Sequence, residues 1–560
     1  MGQCVSADPQ FAAMHNVEQV QQSRCRLMDR DGWLEFGSFD PPLSADLCYL
    51  LVETESAAPL RVSVVHLPAS GKPYSDYSFR FSLTGGEEPA THVVDLGVAG
   101  RVSSEDKLQL RVSGEPGVEF QVNAAKLMQS SDVPENFIPS LVGLRCFTSK
   151  LHYQPGEDIP YKATLLARSL PDRESSKILT VRITDEDGHE VASDTQHFGV
   201  QPIHNVKELH GILKFDGKAQ PGKYRLEARL IDQRSRLTLT ASHDFGVQCA
   251  DDPLVYETPF KFVKDFSIIK GPDGLWHVFS ITGDFTLGHD WYPDGQERTF
   301  SHGTSPDLRH WTYHAPVLSI SDDPYPDGNG EYKNRNIWAP HVIEQDGTYY
   351  MFYTSVNEYA SQTISIATSK DLFNWVDHPG NPVFSLEDVE WANWRRTGFS
   401  SCRDPMVLAD GGRFYLYVTA EAAQGEDRGI VVVAESEDLL NWGSPRVAVC
   451  APVVSESAHV WKSGGKYYMV TSSIGAATYV SDNPVSGWQR SEFPRCPVRK
   501  LEKYVSTSRA YAEEIVHLED GGILVAACTF RHWGNSIYFF KMEIDENGRP
   551  TGYASPFQLR

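Results

Sequence analysis

The sequence has few cysteines and an excess of negative charge, and it contains no long apolar run. Nine cysteines in 560 residues, without a repeated CxxC spacing, predict neither a zinc framework nor a disulfide scaffold. Lys and Arg number 51 against 74 Asp and Glu, and the net charge of −23 argues against a nucleic acid partner. No segment approaches the ~20 apolar residues of a membrane span, so we expect no membrane partner.

The first residues, MGQCVSADPQ, contain no apolar h-region, so this start predicts no signal peptide. An extracellular or periplasmic location is the expectation only if Met-Gly has replaced a leader. The compartment and the oligomeric state stay open.

The sequence is rich in short strands and turns, with 11% aromatics, 43 Gly and 34 Pro, which predicts an all-β protein. A helix is predicted over about 9–22. About seven alternating segments then predict a jelly-roll-like β-sandwich within residues 1–135, either a carbohydrate-binding module or a spacer. Residues 136–252 resemble an immunoglobulin-like sandwich, with a hairpin turn at 185–188, and we expect them to be a spacer or docking module.

The second half repeats one pattern five times: a strand, a Gly-containing turn, and a strand rich in apolar or aromatic residues. The copies begin near 264, 338, 403, 456 and 513. The first four are followed by a signature that ends in tryptophan (Trp311, Trp375, Trp442, Trp488), and these tryptophans are 64, 67 and 46 residues apart. About four strands per 40–50 residues is typical of a propeller blade. We therefore predict a five-bladed β-propeller over residues 253–560, preceded by the two sandwiches, with the tryptophans in its core.

Acidic residues lead the first strand of three repeats. In a propeller this strand lines the central channel, and Asp265, Asp404 and Glu456 occupy what we take to be one common position in repeats one, three and four. Hydrolysis of a glycosidic bond needs one carboxylic acid and one carboxylate on opposite faces of the sugar. Clustered carboxylates can acquire the two different pKa values through repulsion and burial.

Four motifs, KDFSII (264–269), NIWAPH (336–341), RDP (403–405) and ESAHV (456–460), together with the DLxxW blade endings, resemble the five-bladed glycoside hydrolases of family 43 and their relatives in families 32, 62 and 117. The resemblance covers some 300 residues. It implies that Asp265 is the general base, that Asp404 tunes the pKa of the acid, and that Glu456 is the general acid of an inverting reaction. In a family-32-like variant Asp265 is instead the nucleophile of a retaining reaction; we favour inversion.

The chain departs from the family pattern at several positions. Phe266 stands where family 43 usually has Pro, and Ser457-Ala458 stand where it usually has Gly-Pro. A histidine of the fifth blade often helps to hold a central metal or water in the family, and here Ala512 occupies that register. We therefore expect no required cofactor and no metal ligands, and a channel metal such as calcium is unsupported by these motifs.

Further residues are candidates for sugar contact. They are Trp338 and His341 at the channel position of repeat two, Arg403, His459, and Trp394 within the insertion 391–396, where a tryptophan could form a stacking platform. Packing inside the fold is the alternative for the tryptophans and for His341. A turn cap is the alternative for Asp265, and a salt bridge with Arg403 is the alternative for Asp404.

The sequence thus predicts an exo-type glycoside hydrolase that releases terminal sugars from a polysaccharide or oligosaccharide, with arabinofuranose as the expected sugar. Two other functions stay open. One is a non-catalytic, glycan-binding propeller. The other is a glycan phosphorylase, which needs a cationic phosphate site such as Arg395, Arg396 and Arg403.

Overall fold

The computed structural model describes side chains mainly in the C-terminal two thirds of the chain. Up to residue 143 it describes the backbone of strands, with side chains only for Ser56 and 118–122. Beyond that point the described ranges, side chains included, are 144–165, 176–199, 208–215, 220–231, 239–249, 252–284, 297–320, 336–357, 359–426, 428–473, 476–493, 510–529 and 536–554. Within these ranges and the N-terminal strands the chain forms strands and turns but no helix, so no described segment is a helix that could cross a bilayer.

The chain divides into two compact units, which are described separately. The first comprises Met1–Phe147, Pro160–Lys214 and Arg225–His243, and the second comprises Thr148–Ile159, Phe215–Tyr224 and Asp244–Arg560. The predicted domain boundaries at 135 and 252 stay predictions.

The N-terminal strands form two antiparallel sheets. One has the order β3-β4-β11-β6-β9, with β1 also on β11, and the other has the order β2-β5-β10-β7-β8. Their bounds are β1 Val5–Ser6, β2 Phe11–His15, β3 Val17–Gln21, β4 Arg24–Leu27, β5 Trp33–Phe39, β6 Leu47–Ser56, β7 Leu60–Leu67, β8 Ser78–Leu83, β9 Gly86–Asp95, β10 Lys107–Gly114 and β11 Glu119–Gln129. The helix expected over about 9–22 is wrong, because β2 pairs with β5 and β3 pairs with β4.

The next strands form two more sheets. Strands β12, β14 and β17 form one, and β16, β15, β18 and β19 follow one another in the second, where β13 pairs in parallel with the end of β19. Their bounds are β12 Gly143–Thr148, β13 His152–Tyr153, β14 Ile159–Ala167, β15 Ser175–Thr184, β16 Glu190–Val200, β17 Asn205–Leu213, β18 Gly222–Asp232 and β19 Thr238–Val247. The turn between β15 and β16 confirms the predicted hairpin at 185–188.

Five small antiparallel sheets follow, and each corresponds to one predicted blade. Blade 1 is β21 Lys261–Lys270, β22 Trp276–Asp284, β23 Phe300–Ser305 and β24 Thr312–Val317; blade 2 is β25 Asn334–Gln345, β26 Thr348–Asn357, β27 Gln362–Ser369 and β28 Val376–Asp377. Blade 3 is β29 Cys402–Asp410, β30 Arg413–Glu421, β31 Gly429–Ser436 and β32 Arg446–Ala451; blade 4 is β33 Glu456–Ser463, β34 Lys466–Ser472, β35 Thr478–Ser481 and β36 Gln489–Ser491. Blade 5 is β37 Ala510–His517, β38 Ile523–Thr529 and β39 Ile537–Ile544, with β20 Leu254–Tyr256 and β40 Pro550–Ala554 both on the outer edge of β39.

The first strands of the blades contact one another in a closed cycle, β21 to β25, β29, β33, β37 and back to β21. The ring is closed by β20, which precedes blade 1 in the chain and pairs with β39 of blade 5. The described coordinates therefore confirm the five-bladed β-propeller. Its axis is lined by the five first strands, as the sequence predicts.

Apolar side chains fill the spaces between neighbouring blades. The tryptophans that end the repeats pack against these clusters: Trp311 lies between blades 5 and 1, Trp442 between blades 2 and 3, and Trp488 between blades 3 and 4. Trp375 contacts Phe279 of blade 1 edge to face, with the ring centroids 5.6 Å apart. The core role predicted for these tryptophans is confirmed.

Candidate active site

A β-bulge interrupts the first strand of every blade near its beginning. At this bulge the first strand has one residue more than the strand it pairs with. In blades 2 to 5 the bulge residues are Ala339, Asp404, Ser457 and Ala512, and their φ angles of 46–56° are in the left-handed region. Asp265 is the corresponding residue of blade 1. The bulge thus brings one residue of each blade to the mouth of the axial channel.

This register corrects one sequence inference. Glu456 does not occupy the position of Asp404; it precedes the bulge by one residue and corresponds to Arg403, whereas Ser457 corresponds to Asp404. The bulge is invisible in the sequence, so an alignment of acids with acids slips by one residue. In the fifth blade the pairing of β37 with β38 places Ala512 at this position.

Asp265 is desolvated although it lies on the wall of the channel. The Ser457 hydroxyl donates a hydrogen bond to its Oδ1 at 2.9 Å. Burial, and then the negative charge of Asp404, raise the pKa of Asp265 to about 7, while the Ser457 hydrogen bond opposes the rise. Asp265 therefore exchanges a proton close to neutral pH.

Asp404 is 8% exposed, and two hydrogen bonds and one ion pair hold its carboxylate. Its Oδ2 accepts hydrogen bonds from the Thr419 hydroxyl at 3.0 Å and from the Ser457 backbone N–H at 3.1 Å, and Arg403 Nε lies 3.6 Å from the same oxygen. Burial raises the pKa of Asp404, and the Arg403 guanidinium opposes this effect. Asp404 is thus fixed in place beside Asp265 and acts on it through its charge.

Arg403 connects the two acids contributed by blades 3 and 4. Arg403 is 8% exposed. Its guanidinium donates hydrogen bonds to Glu456 Oε1 at 2.6 Å and to Ser401 Oγ at 2.8 Å. Glu456 differs from the two aspartates because 37% of its side chain is exposed. The cluster therefore has two desolvated carboxyl groups, and a third that solvent or a ligand can reach.

A channel pocket of about 290 Å³, including its open mouth, is lined by two of these carboxyl groups, Asp265 and Asp404, whereas Arg403 and Glu456 lie outside its lining. Its lining comes from the first strand of every blade and includes Asp265, Asp404, Ser457, Ala339 and Ala512. Carboxyl groups that titrate differently around a narrow opening can donate and accept protons on a bound ligand. The site is therefore suited to acid–base chemistry on a small polar group that enters along the axis.

The remaining predicted contact residues lie in different environments. Arg403 belongs to the acid cluster, and His459 lines the channel pocket. The Trp394 indole N–H donates to the backbone oxygen of Gln362 at 2.8 Å, and its ring packs against the core between blades 2 and 3, which favours the packing alternative. Trp338 corresponds in register to Arg403 and Glu456, one residue before the bulge of blade 2.

Two exposed aromatic side chains on segments connected to Arg403 did not stand out in the sequence. Tyr359 is 47% exposed and Phe399 is 46% exposed. The segments that carry them pair directly, since the Ser400 N–H donates to the Ala360 oxygen and the Gln362 N–H to the Ser400 oxygen. Gln362 in turn accepts a hydrogen bond from Arg403. Their signal in the sequence is only an aromatic residue beside a small one, which is common in loops.

One layer further along the axis, His341, His459 and Glu514 face one another. Their ligand atoms all lie within 4.8 Å of one another, and they come from blades 2, 4 and 5. The side-chain nitrogens of the two histidines and the carboxylate could together hold a metal ion. From the sequence both histidines are predicted sugar contacts and no metal is expected, whereas Glu514 has no signal of its own beyond its place two residues after Ala512.

The chain was compared with known proteins. Residues 258–527 match the family model "Glycosyl hydrolases family 43". Among curated relatives, a "Fructan 6-exohydrolase" of Beta vulgaris is 25% identical over 316 residues, which are 53% of this chain and 47% of the relative. An "Arabinan endo-1,5-alpha-L-arabinosidase A" of Aspergillus aculeatus is 26% identical over 162 residues, which are 28% of this chain and 46% of the relative. The chain thus spans less than half the length of these relatives.

Among solved structures, a "thermostable family-43 glycoside hydrolase" aligns with 54% of this chain and 98% of its own. The sequence identity is 17% and the TM-score is 0.42.

Proposed function

We propose that this protein, in which residues 258–527 match the family model of glycosyl hydrolases family 43, hydrolyses glycosidic bonds at the ends of a carbohydrate chain. In this proposal Asp265 is the general base, Asp404 adjusts the pKa of its neighbours, and Glu456 is the general acid. The supporting observation is that blades 1, 3 and 4 bring these carboxyl groups to one channel mouth, where Arg403 and Ser457 connect them.

Their environments suit different roles. In an inverting glycosidase the base removes a proton from water while the acid protonates the leaving oxygen. A base is most effective when its pKa is close to the working pH, and the pKa of Asp265 is raised to about 7. Glu456 is the exposed member of the cluster, so an entering glycosidic oxygen meets it first. Arg403 orients the Glu456 carboxyl; because this ion pair favours the ionised carboxylate, Glu456 acts as the acid only after it takes up a proton from solvent as the entering substrate displaces Arg403.

The substrate class is taken from the relatives. The arabinan endo-arabinosidase relative supports arabinose-containing glycans as the first substrates to test, and the fructan exohydrolase relative supports action at chain ends. Tyr359 and Phe399 offer exposed rings on segments that connect through Gln362 to Arg403, and such rings can stack on a sugar face.

A second candidate function is favoured by the fructan exohydrolase relative. It is a retaining, fructosidase-like reaction in which Asp265 attacks the anomeric carbon. Proton NMR of the first sugar anomer released separates the two functions, because inversion and retention give opposite anomers. We expect inversion.

The proposal is tested with aryl glycosides and polysaccharides on the wild type, Glu456→Gln and Asp265→Asn. Loss of the acid should lower kcat/KM on natural linkages by about 10²–10⁴-fold. Substrates with acidic phenol leaving groups need little protonation, so Glu456→Gln should keep most activity on them, whereas Asp265→Asn should lose it on both substrate types. The reverse pattern would exchange the two roles. A wild type that binds glycans but releases no sugar would instead support the glycan-binding function.

A further inference from the structure

The axial layer formed by His341, His459 and Glu514 lies beyond the carboxyl cluster. Each of these residues is two positions past the bulge residue of its blade, so the layer repeats the ring of the active site one step further down the channel. Both histidines are 5% exposed. Glu514 Oε1 lies 3.4 Å from His459 Nδ1 and 3.7 Å from His341 Nδ1.

The hydrogen bond of His341 defines which of its nitrogens carries a proton. Its Nε2 lies 3.2 Å from the backbone oxygen of Val407, which can only accept a hydrogen bond, so Nε2 must donate. In the neutral ring the lone pair is then on Nδ1, which has no hydrogen-bond partner among the described residues and faces Glu514. A lone pair and a carboxylate repel each other unless a positive charge lies between them.

His459 faces Glu514 from the other side of the axis. Its Nε2 lies 3.2 Å from the backbone oxygen of Ile515 and also accepts the Ile515 backbone N–H at 3.2 Å, so this contact does not define which nitrogen carries the proton; its Nδ1 likewise has no hydrogen-bond partner in the described part of the chain. In metal sites, a histidine ligand almost always donates its second ring N–H to a carbonyl or a carboxylate. The His341 ring therefore has the outer hydrogen bond that orients a metal ligand, and the His459 ring has it when Nε2 carries the proton.

The identity of the donor atoms selects the type of ion. Calcium takes six to eight oxygen ligands, and a set of two imidazole nitrogens and one carboxylate does not fit it. Zinc and its transition-metal neighbours take such a set, often with a further position left open. Bonds of 2.0–2.1 Å in a tetrahedral site place ligand atoms about 3.4 Å apart. The two measured separations from Glu514, 3.4 and 3.7 Å, suit this geometry.

We propose that His341 Nδ1, His459 Nδ1 and the Glu514 carboxylate bind one zinc-class divalent cation on the propeller axis. The ion joins blades 2, 4 and 5, which are far apart in the sequence. Its role is to fasten the ring, and the proposal is independent of the glycosidase assignment.

The test uses the full chain, stripped with a chelator and then given Zn²⁺, Co²⁺ or Ca²⁺ separately. We expect one Zn²⁺ per chain by titration calorimetry and elemental analysis, and a rise in Tm of at least about 3 °C at saturation. Co²⁺ should give the visible absorption of a low-symmetry site with nitrogen and oxygen ligands. These three readouts need no variant and no substrate, so failure of the proposed glycosidase activity does not affect them.

Glu514→Gln keeps the shape of the side chain but removes its charge, and it should weaken Zn²⁺ binding by about 100-fold or more. The matched control is His189→Ala, because Asp185, Asp187 and His189 form the other described cluster of potential ligands, on an exposed turn. This control should bind Zn²⁺ as the wild type does. Stabilisation by Ca²⁺ but not Zn²⁺, no stabilisation by any ion, or a Zn²⁺ affinity that depends on His189 and not on Glu514 would each overturn the proposal.

Discussion

Ser457 has a strained backbone and a hydroxyl that contacts Asp265, the proposed base, and substitutions can separate the effects of the strain and of the contact. Its φ of 49° is in the left-handed region, where a non-glycine residue costs about 1–2 kcal/mol. Its hydroxyl donates to Asp265 and lowers the pKa of that carboxyl. Ser457→Ala removes only the hydroxyl. Ser457→Gly also relieves the strain, although the freer unfolded chain offsets about 0.5–1 kcal/mol of the gain.

The two effects have separate readouts. If Asp265 is the base, kcat/KM falls as pH drops through its pKa of about 7. Removing the hydroxyl destabilises the carboxylate, so this acidic limb should move to higher pH by about half a unit in both variants. At pH 6 the activity should then be about threefold lower than in the wild type, whereas at pH 8.5 it should be nearly unchanged. The Gly variant alone should also gain up to about 1 kcal/mol of unfolding free energy.

Ala512→Gly is the matched control, because Ala512 has the same φ of 49° at the same bulge position. It should gain stability as Ser457→Gly does, by thermal or urea unfolding, without moving the acidic limb. An acidic limb that is identical in the wild type and Ser457→Ala would refute the assignment of Asp265 as the titrating base. A limb that moves equally in Ala512→Gly would show that the backbone, rather than the hydroxyl, is responsible.

Three further predictions concern other groups of the propeller. Because the pKa of Asp265 is raised in the folded protein, the free energy of unfolding decreases as pH rises from about 4 to about 7. In urea unfolding at pH 8, Asp265→Asn should therefore have a free energy of unfolding about 1–3 kcal/mol above that of the wild type, and at pH 4 the two should be equal. Burial, and then the charge of His277, lower the pKa of His302 to about 3. The free energy of unfolding should therefore fall as pH drops below about 6.5. His302→Gln should reduce the difference between the urea midpoints at pH 7 and pH 5. Tyr359→Ala and Phe399→Ala should each lower kcat/KM about 3–10-fold on oligosaccharides, measured by sugar release, with unchanged Tm, because stacked rings contribute about 0.5–1.5 kcal/mol.

The repeated strand–turn–strand pattern was sufficient to predict five blades, because each copy specifies a local hairpin and the first four also specify a core tryptophan. The helix expected over 9–22 failed because β2 pairs with β5, beyond the intervening β3 and β4, and β3 forms a hairpin with β4. The helical pattern of this segment does not show those pairings. The position of Glu456 failed by one residue for a related reason, since a bulge is defined only by the strand opposite it. The Glu514 carboxylate had no signal in the sequence because blade 5 has Glu at the position where blades 2 and 4 have His341 and His459.

The bulge accounts for two layers of side chains in one channel, since each first strand contributes its bulge residue to an upper layer and the residue two positions later to a lower one. The blades divide the work between these layers. Blades 1 and 3 contribute acids to the upper layer, and Ser267 and Met406 to the lower layer. Blades 2 and 5 contribute alanines to the upper layer, and the candidate ligands His341 and Glu514 to the lower layer. Blade 4 contributes Ser457 to the upper layer and His459 to the lower layer. Changes in the two layers should therefore have different signatures. Removing a carboxylate above relieves repulsion and removes activity, whereas removing the carboxylate below weakens the ring and leaves the order of the proposed proton transfers intact.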